Sequence, residues 1–102
     1  EQQLSLLLQR AGNRQADPSD RAAAIELLSY AQPDEQITTG LVGLLDDGDV
    51  MPTASAIQAL GAIGTPEAIP ALRQFAAQSE RPELSTLATQ AASELERRVS
   101  GL

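Results

Sequence analysis

The sequence predicts an all-α protein built as a stack of about three antiparallel helical hairpins. Ala and Leu, both strong helix formers, are its commonest residues, and no stretch shows the alternation of apolar and polar residues that is typical of strands. Pro, Asp and Gly mark the starts and ends of short apolar segments. An internal repeat of about 32 residues, the interval from Asp17 to Asp49, indicates that similar units follow one another.

The Pro, Asp and Gly residues at the segment boundaries predict six helices in chain order. Their expected spans are 2–11, 18–31, 34–46, 50–63, 66–79 and 82–99. Asp17-Pro18 and Thr65-Pro66-Glu67 each place a capping residue before a Pro in the first helical position. Asp49 is expected to cap the fourth helix, and Gly12 and Gly64 mark helix ends. Short connections predict antiparallel neighbours.

The repeat becomes visible when the chain is aligned with itself at a shift of 32. The coinciding pairs are Asp17/Asp49, Ala22/Ala54, Ala24/Ala56, Ile25/Ile57, Leu28/Leu60, Glu35/Glu67 and Ile37/Ile69. After a slip of one residue, Leu41 meets Leu72 and Leu44 meets Phe75. A fainter third copy is expected near a shift of 34, where Leu87 replaces Thr53.

Stacked hairpins share one core, so the largest repeated side chains should be the most deeply buried. The predicted core residues are Ile25, Leu28, Leu41, Leu44, Ile57, Leu60, Ile69 and Leu72. We expect one domain over residues 1–102, with hairpin parts at 2–11, 18–46, 50–79 and 82–99. A start at Glu1 without Met suggests a cut end, hence a fragment of a longer chain or a small stand-alone unit.

The composition excludes several kinds of chemistry. Without Cys or His, the chain has no thiol nucleophile, no imidazole base and no usual zinc site, and no Lys or His is present to activate its serines. A net charge of −7 argues against nucleic acid and anionic membranes as partners, and no apolar stretch could span a bilayer. We expect no cofactor, no catalytic residue and a cytoplasmic location.

The candidate ligand sites are weak. Asp46-Asp47-Gly48-Asp49 offers oxygens for Ca²⁺, but it lacks the full twelve-residue loop and fits an acidic turn better. The paired carboxylates Asp34/Glu35 and Glu94/Glu96 show no sign of converging on a cleft. The glycines fit no phosphate-binding motif and are expected to serve helix packing and helix ends.

Residues 54–72, ASAIQALGAIGTPEAIPAL, resemble HEAT-like repeats, especially the short bacterial kind also seen in phycobilin lyase subunits. The stretch has an alanine-rich first helix, a Leu-Gly ending, a short turn and a second helix opening with Ile-Pro-Ala-Leu. The resemblance is good over 49–79 and fair over 17–46. It implies a right-handed α-solenoid in which Pro70 bends the second helix.

The resemblance also implies two sets of site residues. An Asp–Arg ladder between repeats is matched by Asp17, Arg21 and Asp49, although Thr53 stands in the second Arg position, so we expect Arg21 to reach Asp49. The second helices should line the concave side of the stack. The residues expected to project there, and to form a protein-binding face, are Gln36, Thr39, Arg73, Gln74 and Gln78.

The sequence therefore favours a non-catalytic protein–protein interaction module, a scaffold, adaptor or regulatory unit that binds through the face of its second helices. Two alternatives stay open. One is a subunit of a phycobilin (tetrapyrrole) lyase, which the resemblance suggests but no chemical group here marks. The other is a structural spacer or cap within a larger chain.

Overall fold

A computed structural model of the chain describes residues 2–32, 34–46 and 49–100, with side chains from Leu6 onward. In this described part the secondary structure is six α-helices and one short 3₁₀ turn, with no strand. The elements are α1 (Gln2–Gly12), α2 (Pro18–Leu28), α3 (Glu35–Gly43), the 3₁₀ turn (Leu44–Asp46), α4 (Val50–Ile63), α5 (Ala68–Gln78) and α6 (Pro82–Ser100). The predicted all-α, solenoid-like fold is confirmed.

The even-numbered helices begin at a constant interval. Pro18, Val50 and Pro82 open α2, α4 and α6, and consecutive starts are 32 residues apart. Each buried residue of α6 also lies 32 residues after a buried residue of α4. These pairs are Pro52/Leu84, Ala56/Ala88, Ala59/Ala91, Leu60/Ala92 and Ile63/Leu95. The third copy therefore keeps the period of 32, and the shift near 34 expected from the sequence is wrong.

The helices form two layers. In one layer α4 lies between α2 and α6 and packs closely against both. Each helix of this row also packs against the helix that precedes it in the chain, α1 on α2, α3 on α4 and α5 on α6, while α3 touches α1 and α5. The closest chain-adjacent pairs are therefore α1–α2, α3–α4 and α5–α6. The pairs within the predicted hairpin parts 18–46 and 50–79, α2–α3 and α4–α5, approach each other less closely. The Cα atoms span 34 × 32 × 15 Å, a slab that is thin across the two layers.

One apolar cluster runs through the whole stack. Among its members Ile25, Ile57 and Leu60 have no exposed surface, and Ala11 and Leu95 extend it to α1 and α6. Seven of the eight predicted core residues are buried. The exception is Ile69, which is only partly buried because it lies in the first turn of α5, at the edge of the cluster.

Helix capping differs from the sequence prediction. Asp34 caps α3, since its Oδ1 accepts from the backbone N–H of Gln36 at 2.7 Å and of Ile37 at 3.1 Å. Asp17 and Asp49 occupy N-cap positions but accept no cap hydrogen bond from their helices. The carboxylate of Asp17 instead accepts from the Ser19 hydroxyl at 2.8 Å.

Pro70 does not require a bent helix. The fifth helix begins at Ala68, not at 66, so Pro70 is its third residue. The N–H groups of a first turn have no partner within the helix, and a proline there removes no hydrogen bond. None of the helices described is long and apolar enough to cross a membrane.

Candidate functional site

A groove of about 360 Å³ lies between the C-terminal halves of α3 and α5, and we call it the α3–α5 groove. Its lining residues are Val42, Leu45, Asp46, Ala71, Gln74, Phe75, Gln78 and Ser79. One wall is the end of α3 with the 3₁₀ turn, and the other is the last two turns of α5.

The α5 wall follows from helical periodicity. Ala71, Gln74, Phe75 and Gln78 are spaced three or four residues apart and therefore share one face of the helix. Phe75 is partly buried against the core, whereas the two glutamines are exposed. The groove thus combines an apolar floor with amide groups that can both donate and accept hydrogen bonds.

The structure brings together only part of the face expected from the sequence. All five expected residues are exposed, but only Gln74 and Gln78 line the groove. Gln36 and Thr39 lie nearer the start of α3, outside the groove lining. Arg73 is turned toward α6, where its Nη2 donates to Glu96 Oε1 and both side chains stay about half exposed.

Six residues of the groove lining were not predicted from the sequence, namely Val42, Leu45, Asp46, Ala71, Phe75 and Ser79. Of these, Asp46 was expected only in an acidic turn, and Phe75 was noted only as the repeat partner of Leu44. The periodic spacing of Ala71, Phe75 and Gln78 was the available signal on α5. No comparable signal marked the other wall, because its shape depends on α3 tightening into a 3₁₀ turn after Gly43.

Arg21 ties three helices together from a fully buried position. Its Nε donates to the carbonyl of Ala11, at the end of α1, over 2.8 Å. Its Nη1 donates to Asp49 Oδ2, just before α4, over 2.9 Å. Asp49 is about half exposed, so the pair joins a buried cation to a carboxylate at the surface.

The helix position that Arg21 occupies in α2 holds a different hydrogen-bond donor in α4 and in α6. Thr53 and Ser85 follow it at intervals of 32, and all three are the fourth residue of their helices. The Thr53 hydroxyl donates to the carbonyl of Leu44 over a long 3.4 Å, and the Ser85 hydroxyl donates to that of Ala76. Each donor therefore holds the end of the preceding helix, where carbonyls lack helical partners. Two of these ends, those of α3 and α5, form the walls of the groove.

A further link fixes α6 on α4. Arg98 Nη2 donates to the carbonyls of Gly61 at 3.0 Å and Gly64 at 3.3 Å. At Gly61 the two helices are very close, since a Cβ atom there would lie 3.2 Å from the Cα and Cβ of Ala91. The packing role expected of Gly61 therefore reflects a real close approach.

The acidic residues of the expected calcium candidate are used differently. Asp46 lines the groove, Asp49 binds Arg21, and Asp47 and Gly48 lie outside the described residues. Across the part of the chain that the structure describes, no group of three or more His, Cys, Asp or Glu residues is arranged to hold a metal ion.

Residues 4–93 match the model of a known family, the HEAT repeats. The match spans α2 to α5 in full and most of α1 and α6. Neither a curated protein nor a solved structure matches the chain.

Proposed function

Because the chain belongs to the HEAT-repeat family, we propose that it is a non-catalytic protein-interaction module whose docking surface is the α3–α5 groove. HEAT repeats commonly mediate protein–protein interaction. In this proposal the chain serves as a scaffold, adaptor or regulatory unit that holds an extended segment of a partner protein.

The observation that carries the proposal is the composition of the groove. Val42, Leu45 and Phe75 supply apolar contact surface, while Gln74 and Gln78 supply hydrogen-bonding groups along one edge. An extended peptide needs both, because its side chains require apolar contacts and its backbone amides require partners.

Hydroxyl groups donate to carbonyls near the ends of both groove walls. Thr53 makes a long 3.4 Å contact to Leu44, just beyond α3, and Ser85 donates to Ala76 in the last turn of α5, which favours a groove that is ordered before a partner binds. Binding to a surface that is already ordered loses less conformational entropy than binding that must first order the surface. The recurrent donors are therefore consistent with a docking role for this groove.

The proposal is tested with twelve-residue peptides selected from a random displayed library against the full chain. We expect binding of a selected peptide to shift the NMR amide signals of Val42, Gln74, Phe75 and Gln78. Gln74→Tyr fills the groove with bulk and should weaken binding at least about fivefold. Gln90→Tyr, the same change at an exposed position of α6, is the matched control and should leave affinity unchanged.

Signal shifts confined to other surfaces, or equal effects of the two tyrosine variants, would contradict the docking proposal. The lyase-subunit role predicts a different result in the same set of experiments, namely visible absorbance that stays with the protein after mixing with a tetrapyrrole. A spacer role predicts neither peptide binding nor colour.

A further inference from the structure

We infer that the α3–α5 groove receives a partner segment in which a basic side chain stands beside apolar ones, with the basic group placed at Asp46. This inference rests on the proposed docking function and names the chemistry of the partner. It follows from the charges, the helix directions and the apolar surface at one end of the groove.

The side-chain charge of the groove is one-sided. Among the described residues of its lining, Asp46 is the only charged one, and it is exposed. Among the described residues no basic side chain forms an ion pair with it. Arg73, the only basic residue of α5, is directed to Glu96 instead. A cation brought by the partner therefore meets a carboxylate without competition from an arginine of the groove.

A neighbouring depression does not change this balance. It shares Leu45, Phe75 and Ser79 with the groove and adds charged residues at the starts of α4 and α6. These are Asp49, Glu80 and Arg81. Asp49 is matched by Arg21, and Glu80 and Arg81 carry opposite charges. In the part of the two linings that the structure describes, the unbalanced negative side-chain charge is therefore that of Asp46.

The orientation of the two helices also favours a basic group at this end of the groove. Both α3, continued by its 3₁₀ turn, and α5 end at this part of the groove, at Asp46 and Gln78. The last carbonyls of a helix carry a partial negative charge and favour nearby cations. The groove lining therefore includes two helix ends and one carboxylate, all of which favour a basic group of the partner.

The apolar part of the groove determines which partner side chains can lie next to that basic group. Val42, Leu45 and Phe75 line the same groove as Asp46 and favour contact with apolar side chains of the partner. An acidic segment would instead bring like charge to Asp46 and to a chain of net charge −7. A basic and apolar protein segment is the occupant that satisfies both parts of the surface.

The test begins with the residue composition of the peptides selected from the displayed library. We expect Arg or Lys together with apolar residues in the peptides that Gln74→Tyr disrupts. The best peptide, labelled with fluorescein, is then titrated with Asp46→Asn and with Asp20→Asn, which removes the same charge from an exposed position of α2. Asp46→Asn should weaken binding about threefold to tenfold, and Asp20→Asn less than about twofold.

The possible outcomes separate this inference from the proposed function. Groove-binding peptides without basic residues, or equal losses in the two asparagine variants, overturn the inference and leave the docking function standing. Selected peptides that Gln74→Tyr does not disrupt, or a library that yields no binding peptide, overturn both. Thermal melting of Asp46→Asn and Asp20→Asn shows whether each variant is folded, so that a loss of affinity is not confused with unfolding.

Discussion

The guanidinium of Arg21, which has no exposed surface, lies 2.9 Å from the carboxylate of Asp49 and joins the start of α2 to the start of α4. The same side chain holds the last turn of α1 through the carbonyl of Ala11. A buried residue that bonds two other helices should matter far more to stability than an arginine at the surface.

We therefore expect Arg21→Met to lower the free energy of unfolding by about 2–4 kcal/mol, because the Ala11 carbonyl loses a donor and Asp49 loses its cation. Arg97→Met removes an exposed arginine of α6 and should change it by less than about 0.5 kcal/mol. Urea unfolding measures both, and equal effects would mean that the Arg21 contacts add nothing to stability.

The hydroxyl of Ser85 should also stabilise the fold, but by less than Arg21 does. Ser85→Ala removes the donor to the Ala76 carbonyl and should destabilise the protein by about 1 kcal/mol relative to Thr86→Ala. Thr86 is exposed on the same helix, so its replacement reports the gain in helix propensity alone. A difference near zero between the two variants, measured by urea unfolding, would show that the third donor position carries no energetic weight.

Leu60 lies in the middle of the shared core and has no exposed surface. Leu60→Ala should lower the free energy of unfolding by about 2–5 kcal/mol, since it removes apolar contacts and leaves a cavity. Leu27→Ala makes the same change in a side chain that is 56% exposed and should lower it by less than about 1 kcal/mol. A loss at Leu60 no larger than that at Leu27 would place Leu60 outside the core.

Two glycines should respond to alanine with opposite signs. Gly43 has open space around it, so Gly43→Ala should stabilise α3 by about 0.5–1 kcal/mol. Gly61→Ala would press a methyl group against the backbone of Ala91 and should destabilise the protein by about 1 kcal/mol or more. Thermal melting compares the two, and a stabilised Gly61→Ala would show that α4 and α6 are farther apart than described.

The fold was predictable because helix punctuation and repeated apolar positions are local signals. The register of the third copy was not, because at the observed shift of 32 the core residues Ile57 and Leu60 align with Thr89 and Ala92, so few residue types coincide. The recurring hydrogen-bond donor at the fourth position of α2, α4 and α6 was not predicted from the sequence for a related reason. Arg21, Thr53 and Ser85 differ in charge and size and share only the ability to donate a hydrogen bond, which an alignment of residue types does not detect.

The groove was predictable only in part. Gln74 and Gln78 lie on α5 and line the groove, but the positions of Asp46 and Arg73 depend on tertiary contacts. A local pattern cannot show that Arg73 turns toward Glu96, 23 residues later in the chain. Asp49 occupies the predicted N-cap position of α4, but its carboxylate binds Arg21, the contact that the resemblance implied, and accepts no cap hydrogen bond.

The stacking register of the helices is tested most directly by a NOESY spectrum of the full chain in solution. We expect cross-peaks from the Gly61 α-protons to the Ala91 methyl group and from the Gly40 α-protons to the Leu8 methyl groups, because a Cβ atom at Gly61 would lie 3.2 Å from the Ala91 Cβ and one at Gly40 would lie 2.7 Å from a Leu8 methyl carbon. A folded, well-dispersed protein that lacks both cross-peaks would contradict the stack and, with it, the groove between α3 and α5.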